Sequence, residues 1–186
     1  MSSPKLLTIG TSNHTWEAFY RLLELTGADT IIDIRSLPRS RHRHFNQREL
    51  KARLEHAGLP YVFLGHHLGG HNTGNYEEVA QSAPFLEGLA RVRDIGLRCR
   101  PVLLCAEGEP LQCHRFLLVA RALVKTRVEV AHILRDGSIE EQWQTELRLL
   151  RVTRLDTGDL FSTAERRLEA AYAKQDQRVT GAARRK

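Results

Sequence analysis

The 186-residue chain lacks the segments that mark several special classes of protein. No run of about 18 apolar residues is present, roughly the minimum for a membrane-spanning helix, so we expect no membrane partner. The N-terminus, MSSPKLLTIG, lacks the apolar core of a signal peptide. Neither a Gly-x-Gly-x-x-Gly fingerprint nor a Gly-Lys-Ser/Thr phosphate loop occurs, which argues against a dinucleotide cofactor. These absences predict a cytoplasmic globular protein.

Cysteine is scarce, and its pattern argues against two kinds of site. Cys99, Cys105 and Cys113 make an odd number, which disfavours a disulfide framework. No Cys-x-x-Cys pair occurs, so we assign no metal and no cofactor. A transition-metal site stays open as an alternative, because several soft ligands are present. Its candidate ligands are Cys105, Cys113, His114, His66, His67 and His71.

Basic residues are in excess, with a net charge of +6 and a sequence pI of about 9.6. This excess permits binding to a polyanion but does not require it. Much of it lies between Arg35 and Arg53, and a second basic group from Arg178 to Lys186 is expected to form a solvated, partly disordered tail. Within the first segment the candidates for nucleic-acid contact are Arg39, Arg41, Arg43 and Arg48.

Five apolar segments have the composition of buried strands. They are rich in aliphatic and β-branched residues and do not alternate with polar ones, which is typical of a parallel sheet covered on both faces. The predicted strands are Lys5–Ile9, Thr30–Ile34, Leu59–Leu64, Pro101–Cys105 and Val128–Leu134.

Segments with helical spacing of apolar residues lie between and after these strands. Asn46 followed by Glu49 predicts a capping box at one helix start. The glycine-rich segment from Gly65 to Asn75 is predicted to be an irregular loop. The predicted helices are Thr15–Leu25, one from Asn46 to about Ala57, a short one from Tyr76, Phe85–Ile95, Gln112–Val124, Ile139–Leu150 and Ala164–Ala173.

The alternation of strands and helices predicts an α/β fold. We expect a three-layer sandwich with a mostly parallel, Rossmann-like sheet of about five strands, followed by C-terminal helices. Residues 1–150 form the predicted single α/β domain. Residues 151–186 form a C-terminal helical extension that ends in the basic tail.

Polar or glycine-rich loops follow the first four predicted strands. Ligands bind beyond the carboxyl ends of the strands in open parallel sheets, and right-handed connections place these ends at one edge. We therefore expect the four loops to converge there. Their ligand-binding candidates are Thr11, Ser12, Asn13, Arg35 and Arg115.

The segment LLCAEGEPLQCHR, from Leu103 to Arg115, concentrates reactive side chains between a predicted strand and a predicted helix. Unpaired N–H groups and a partial positive charge at a helix start favour anions and push a thiol toward thiolate. We predict that the Cys-His-Arg triplet opens the helix. The candidate catalytic residues are Cys105, Glu107, Cys113 and His114, while a packing role for the cysteines stays open.

Four motifs in order carry a resemblance to a known family. They are TIGTSN, DIRSLPRSR, FN followed by GLPYVFLGHHLGG, and LLCAEGEPLQCHR. Together, over roughly Leu7 to Ile133, they resemble the domain of unknown function 488 family. The resemblance implies an α/β sandwich and supports the location of the site. No reaction is established for the family, so the resemblance implies none.

Three hypotheses follow for an uncharacterised protein of this kind. The first is an enzyme in which a cysteine attacks a phosphorylated or nucleotide-like substrate, His114 or Glu107 transfers protons, and arginines hold the anionic group. The second is a nucleic-acid-binding or nucleic-acid-processing protein that uses the basic loop. The third is a non-catalytic module that binds a small anion at the helix start. The oligomeric state stays open.

Overall fold

The computed structural model describes residues 5–70, 75–157 and 162–183, and it has a three-layer α/β fold. A six-stranded sheet forms the middle layer of this described part. The strands are β1 (Leu6–Gly10), β2 (Thr30–Asp33), β3 (Tyr61–Phe63), β4 (Pro101–Cys105), β5 (Val130–Ile133) and β6 (Ile139–Glu141).

Helices connect the strands and cover the sheet. Two 3₁₀ turns, Arg43–Phe45 and Pro110–Gln112, lie at its carboxyl edge, and a π-helical segment, Arg115–Ala120, leads directly into α6. The α-helices are α1 (Trp16–Thr26), α2 (Gln47–His56), α3 (Gly65–Leu68), α4 (Tyr76–Ala80), α5 (Ala83–Gly96), α6 (Arg121–Lys125), α7 (Gln142–Thr153) and α8 (Ala164–Ala183). None of these helices is both long and apolar enough to cross a bilayer.

The two faces of the sheet bury separate clusters of apolar side chains. Successive side chains of a strand point to opposite faces. On β4, Leu104 packs in the cluster that contains Phe19 of α1. Cys105, the next residue, packs in the cluster that contains Phe116 of the π-helical segment. The thiol of Cys105 therefore faces the layer that holds the second half of the chain.

The strand order is β3-β2-β4-β1-β5-β6, and only the pairing of β6 with β5 is antiparallel. From β1 the chain moves to β2 on one side, whereas from β4 it moves to β5 on the other. The order differs from the 3-2-1-4-5-6 order of the Rossmann fold by exchange of two central strands. Connections that leave in opposite directions open a crevice beyond the carboxyl ends of β1 and β4.

The predicted three-layer α/β fold with a mostly parallel sheet is confirmed, and the sheet has a sixth strand beyond the five that were predicted. Residues Ile139–Glu141, which were predicted to begin a helix, pair with β5 as the antiparallel edge strand β6. The helix starts only at Gln142, where the Glu141 and Gln144 side chains form a capping box. A three-residue edge strand has too little sequence pattern of its own to be distinguished from a helix start.

Three local predictions were also wrong. The segment Gly65–Leu68 forms the short helix α3 instead of an irregular loop. Asn46 makes no capping bond to α2, because its Oδ1 accepts a hydrogen bond from the Ser40 backbone N–H at 2.7 Å. Gln112 belongs to a 3₁₀ turn, so the predicted helix Gln112–Val124 begins later.

The C-terminal part is more helical than predicted. The helix predicted to end at Ala173 is α8, which continues to Ala183 and so runs through the first part of the predicted basic tail. Residues 184–186 lie outside the described residues. The domain boundary predicted at residue 150 falls within α7, which packs against α8.

Candidate thiol site

Cys105 is the last residue of β4, and the loop that follows it is bonded to the end of β1. The Thr11 N–H donates to the Cys105 carbonyl at 2.8 Å, and the Ser12 N–H donates to the Ala106 carbonyl at 2.8 Å. The loop lies so close to Gly10 that a Cβ there would be 1.8 Å from the Glu107 carbonyl oxygen. Gly10 thus allows the loop that carries Glu107 to close over the strand.

Cys113 occupies the start of the π-helical segment as its capping residue. Its backbone is extended, and its carbonyl accepts hydrogen bonds from the N–H groups of Phe116 and Leu117 at 3.1 Å each. Its sulfur accepts from the Arg115 N–H at 3.4 Å, as the side-chain oxygen of an N-cap residue would. The triplet therefore opens a helix as predicted, but the helix is first of the π type, which is common at functional sites.

Four side chains converge between β4 and this helix start. The Cys105 and Cys113 sulfur atoms are 2.9 Å apart. Oε2 of Glu107 lies 3.2 Å from the Cys105 sulfur and 3.3 Å from the Cys113 sulfur. Nδ1 of His114 lies 3.4 Å from the Cys105 sulfur. The structure thus brings all four predicted catalytic residues into one cluster.

The surroundings of Cys105 favour its thiolate form. Burial would raise the pKa of this thiol, but the hydrogen bond from Cys113 and the charges of His114 and Arg115 outweigh burial and hold the pKa well below its usual value. Burial would lower the pKa of His114, yet the Cys105 thiolate raises it to about 9. These shifts favour an imidazolium–thiolate pair of His114 and Cys105 near neutral pH.

Glu107 and Cys113 have the opposite tendency, because their surroundings raise their pKa values. Two effects raise the pKa of Glu107 to about 7: its burial, which is the larger effect, and the negative charge of Cys105. Part of the residue is nevertheless exposed to solvent. Burial and the hydrogen bond to Cys105 raise the pKa of Cys113 well above that of an ordinary thiol. Near neutral pH the Cys113 thiol therefore keeps its proton, whereas Glu107 can gain or lose one.

His114 and Arg115 are fixed by contacts to the loops around the cluster. Nε2 of His114 donates to the Ile34 carbonyl at 3.0 Å, which leaves Nδ1 directed at the Cys105 sulfur. Arg115 is fully buried, and its Nη2 donates to the Gly108 carbonyl at 2.8 Å. The Nε and Nη1 groups of Arg115 have no hydrogen-bond partner among the described residues. Arg115 therefore binds the loop through the Gly108 carbonyl and places a positive charge near the Cys105 sulfur.

A pocket of about 270 Å³ opens above Cys105. The loops after β2, β3 and β4 contribute to its wall as predicted, whereas the loop after β1, which was predicted to join them, does not line it. Val179 of α8 completes the wall. The remaining lining residues are Arg35, Ser36, Leu37, Gly70, Tyr76, Cys105, Ala106, Glu107, Gln112 and His114.

Several of these lining residues carry no recognisable signal in the sequence. Gly70 passes so close to His114 that a Cβ there would be 2.5 Å from the His114 Cβ, although the pair Gly69–Gly70 is too short to be read as a motif. Tyr76, Gln112 and Val179 come from helices, and helical periodicity alone does not show which of their residues face a pocket. The only feature of the sequence that pointed to a pocket here was the predicted convergence of the loops after the first four strands.

The predicted ligand-binding residues take other roles or positions. Arg35 lines the pocket, but its guanidinium is paired with buried Asp33 at 2.6 Å and donates to the Phe45 carbonyl at 2.8 Å. Thr11 is buried and donates to the Ala106 carbonyl. Ser12 lines a neighbouring surface cleft, and exposed Asn13 accepts a hydrogen bond from Arg41.

The four candidate arginines for nucleic-acid contact are all exposed. Arg41 donates to Asn13, and Arg43 lies 3.3 Å from the Glu49 carboxylate. The loop between β2 and α2 carries three of these arginines and starts with Ser36 and Leu37, two lining residues of the pocket. The full set is Arg39, Arg41, Arg43 and Arg48.

The cluster could also supply metal ligands. One donor atom from each of Cys105, Glu107, Cys113 and His114 lies within 4.8 Å of the others. Two thiolates on a tetrahedral zinc ion would be about 3.8 Å apart, given Zn–S bonds of about 2.3 Å, whereas these sulfur atoms are 2.9 Å apart. The two sulfur atoms would therefore have to separate by about 0.9 Å to bind one zinc ion.

The other histidines named as metal ligands do not join the cluster. His66 and His67 lie in α3, and within the described residues neither belongs to a group of potential ligands. His66 packs against the Phe63 ring, and His67 lies 3.8 Å from the Glu87 carboxylate. His71 lies outside the described residues.

Fold and site together define an α/β protein with a buried thiol cluster at the carboxyl edge of its sheet. A family model described as "Domain of unknown function DUF488" matches residues 15–122, more than half of the chain. The chain therefore belongs to this family, as its motifs indicated. No curated protein and no solved structure matches the chain. The matched range includes the thiol cluster, whereas Gly10 and Val179 lie outside it.

Proposed function

We propose that this protein is an enzyme in which the Cys105 thiolate attacks a small anionic substrate bound in the pocket. The observation that carries the proposal is the position of Cys105. Its sulfur lies at the pocket wall and contacts Cys113, Glu107 and His114 at 2.9 to 3.4 Å. A buried thiolate that is paired with an imidazolium next to a cavity is an activated nucleophile.

Glu107 is placed to transfer protons to and from the substrate. Its carboxyl group lines the pocket, and its pKa of about 7 lets it serve as acid or base near neutral pH. His114 has a different role, because both of its ring nitrogens are engaged, with the Cys105 sulfur and with the Ile34 carbonyl. The imidazolium keeps Cys105 in its charged form.

The balance of charge around the pocket supports an anionic substrate. Arg35, Arg115 and His114 carry positive charge, and Asp33 and Cys105 carry negative charge. While Glu107 holds its proton, one positive charge remains in excess. A phosphate or carboxylate group would balance it at short range, where the surroundings screen charge less than water does.

Alkylation of the thiols tests the proposed nucleophile. Iodoacetamide is applied between pH 5 and 9, and peptide mass spectrometry compares Cys105 with half-buried Cys99 in the same molecules. We expect Cys105 to react with an apparent pKa well below the ordinary thiol value of about 8.5. In the Glu107→Gln variant, any step near pH 7 in the alkylation rate of Cys105 should disappear, because the carboxyl group that titrates there is gone.

A second reagent tests the charge of the substrate. Iodoacetate has nearly the same shape as iodoacetamide but carries a carboxylate. If the pocket favours anions, the iodoacetate-to-iodoacetamide rate ratio will be higher at Cys105 than at Cys99. A ratio that is equal or lower at Cys105 contradicts an anionic substrate. Inertness of Cys105 until denaturation contradicts the nucleophile itself, and binding of phosphate with an inert thiol would instead favour a non-catalytic anion-binding module.

Nucleic acid is the second candidate partner, and the position of the basic loop favours it. The exposed arginines follow directly on two residues of the pocket wall, so a bound phosphate backbone could direct a nucleotide toward the thiol. The test is fluorescence anisotropy with single-stranded RNA and DNA at low and moderate salt. Replacing Arg39, Arg41, Arg43 and Arg48 together with Gln should abolish binding. Replacing four exposed arginines at the other end of the molecule should not; these are Arg91, Arg93, Arg98 and Arg100.

A further inference from the structure

The two buried cysteines are arranged for reaction with each other. Their sulfur atoms are 2.9 Å apart, and each residue is only 1% exposed. A disulfide bond is about 2.05 Å long, so the atoms must approach by about 0.9 Å. Cys113 precedes the helix, and the loop between the two cysteines contains Gly108 and a short 3₁₀ turn, so the backbone there is not constrained by a long regular element.

The surroundings of the two sulfurs differ. Cys105 lines the pocket, whereas Cys113 lies behind it and is not among the lining residues. Cys113 also accepts the backbone N–H of Arg115, which holds its sulfur in place toward Cys105. The Cys105 sulfur is therefore the one that attacks a molecule entering the pocket. The Cys113 sulfur then reacts with the adduct formed on Cys105.

We propose that Cys105 and Cys113 form a reversible dithiol–disulfide pair, and that the electrophile attacked by Cys105 is a sulfur atom of a small disulfide. This inference rests on the proposed nucleophilic role of Cys105 and specifies its substrate class. A disulfide in a folded protein cannot reach two thiols that are 1% exposed at a pocket of about 270 Å³. A low-molecular-mass disulfide with a carboxylate group fits both the size and the charge of the pocket.

The reaction balances in two steps. The Cys105 thiolate attacks one sulfur of the small disulfide RSSR, so that a Cys105–SR bond forms, the RS–SR bond breaks and RS⁻ leaves. Glu107 gives its proton to the departing RS⁻, which leaves as RSH, and the resulting carboxylate accepts the Cys113 proton across 3.3 Å. The Cys113 thiolate attacks the Cys105 sulfur and expels a second RS⁻. Two protein thiols are oxidised, and one RSSR is reduced to two RSH after proton uptake.

The test uses glutathione as the probe on full-length protein that carries Cys99→Ser, which leaves only the two cluster thiols. The protein is equilibrated over a series of reduced-to-oxidised glutathione ratios, and intact mass and linked peptides are measured. We expect the loss of two hydrogen atoms per chain and a Cys105–Cys113 linked peptide. Cys113→Ser should accumulate the Cys105–glutathione mixed disulfide, and Cys105→Ser should form neither product. Serine suits position 113 because it is itself a good N-cap residue.

The outcomes separate this inference from the proposed function. If Cys105 alkylates at low pH but no linked peptide forms at any ratio, the dithiol pair is refuted and the nucleophile stands. If Cys105 neither alkylates nor forms a mixed disulfide, both proposals fail. If elemental analysis finds a stoichiometric metal that must be chelated before either thiol reacts, the cluster is a metal site and the dithiol pair is again refuted.

Discussion

Gly10→Ala should displace the loop that carries Glu107 and disturb the site without changing any reactive side chain. A Cβ at position 10 would lie 1.8 Å from the Glu107 carbonyl oxygen and 2.7 Å from the Arg115 Nη1 group. An ordinary contact between carbon and oxygen needs about 3.3 Å, so the loop must move away by about 1.5 Å. Such a shift would break the two backbone hydrogen bonds that Thr11 and Ser12 donate to it.

The magnitude follows from these contacts. Each lost backbone hydrogen bond costs about 1 kcal/mol, and overpacking costs about 1–3 kcal/mol. A destabilisation of about 3–5 kcal/mol should lower the melting temperature by roughly 6–20 °C for a chain of this size. Because Glu107 moves away from the sulfurs, the step in Cys105 reactivity near pH 7 should also weaken.

Thermal unfolding and iodoacetamide alkylation of purified variants provide the assay. Gly96→Ala is the matched control, since Gly96 is also buried but a Cβ there would meet only Leu6, at 3.5 Å. This control should match the wild type in reactivity and should not lose stability. The reasoning is refuted if Gly10→Ala melts at the wild-type temperature and Cys105 keeps its wild-type pH profile.

Three more substitutions have defined outcomes. Asp33→Asn should cost about 3–5 kcal/mol in urea unfolding, since it leaves the Arg35 guanidinium buried without its partner; a loss below 1 kcal/mol contradicts this. Burial lowers the His132 pKa from 6.5 to about 3, so wild-type stability should decline below pH 6.5 by up to about 1.4 kcal/mol per pH unit. His132→Gln, which takes up no proton, should show a shallower decline, and equal slopes would refute the assignment. Gly70→Ala should move His114 away from Cys105 and so raise the apparent pKa at which Cys105 is alkylated. An unchanged apparent pKa would contradict this role of His114.

The parallel part of the fold was predictable because its strands are buried on both faces. Thr30–Asp33 and Pro101–Cys105 are buried at every residue, and their predicted bounds differ from the observed ones by at most one residue. The edge strand Ile139–Glu141 was not predictable in the same way. Its pairing with β5 is a tertiary contact, and two of its three residues are glutamates that do not favour strands.

It was predictable from the sequence that the four candidate catalytic residues would lie close together, but their individual contacts were not predictable. The order of strands and loops indicated that Cys105 and the Cys-His-Arg triplet would meet at one edge. Sequence spacing does not give side-chain direction, so it could not show that Glu107 contacts both sulfurs or that Arg35 pairs with Asp33. For Arg35 the ion pair and the ligand contact were both open, and the structure shows the ion pair.

The pocket depends on the last helix of the chain, which has a consequence for biosynthesis. Gln175 of α8 donates to the Leu111 carbonyl, Asp176 accepts the Tyr76 N–H, and Val179 completes the wall. Val179 is translated 66 residues after Cys113, which takes roughly 3–13 seconds at about 5–20 residues per second. During that interval the nascent thiols lack this covering wall and are open to oxidants in the surrounding solution.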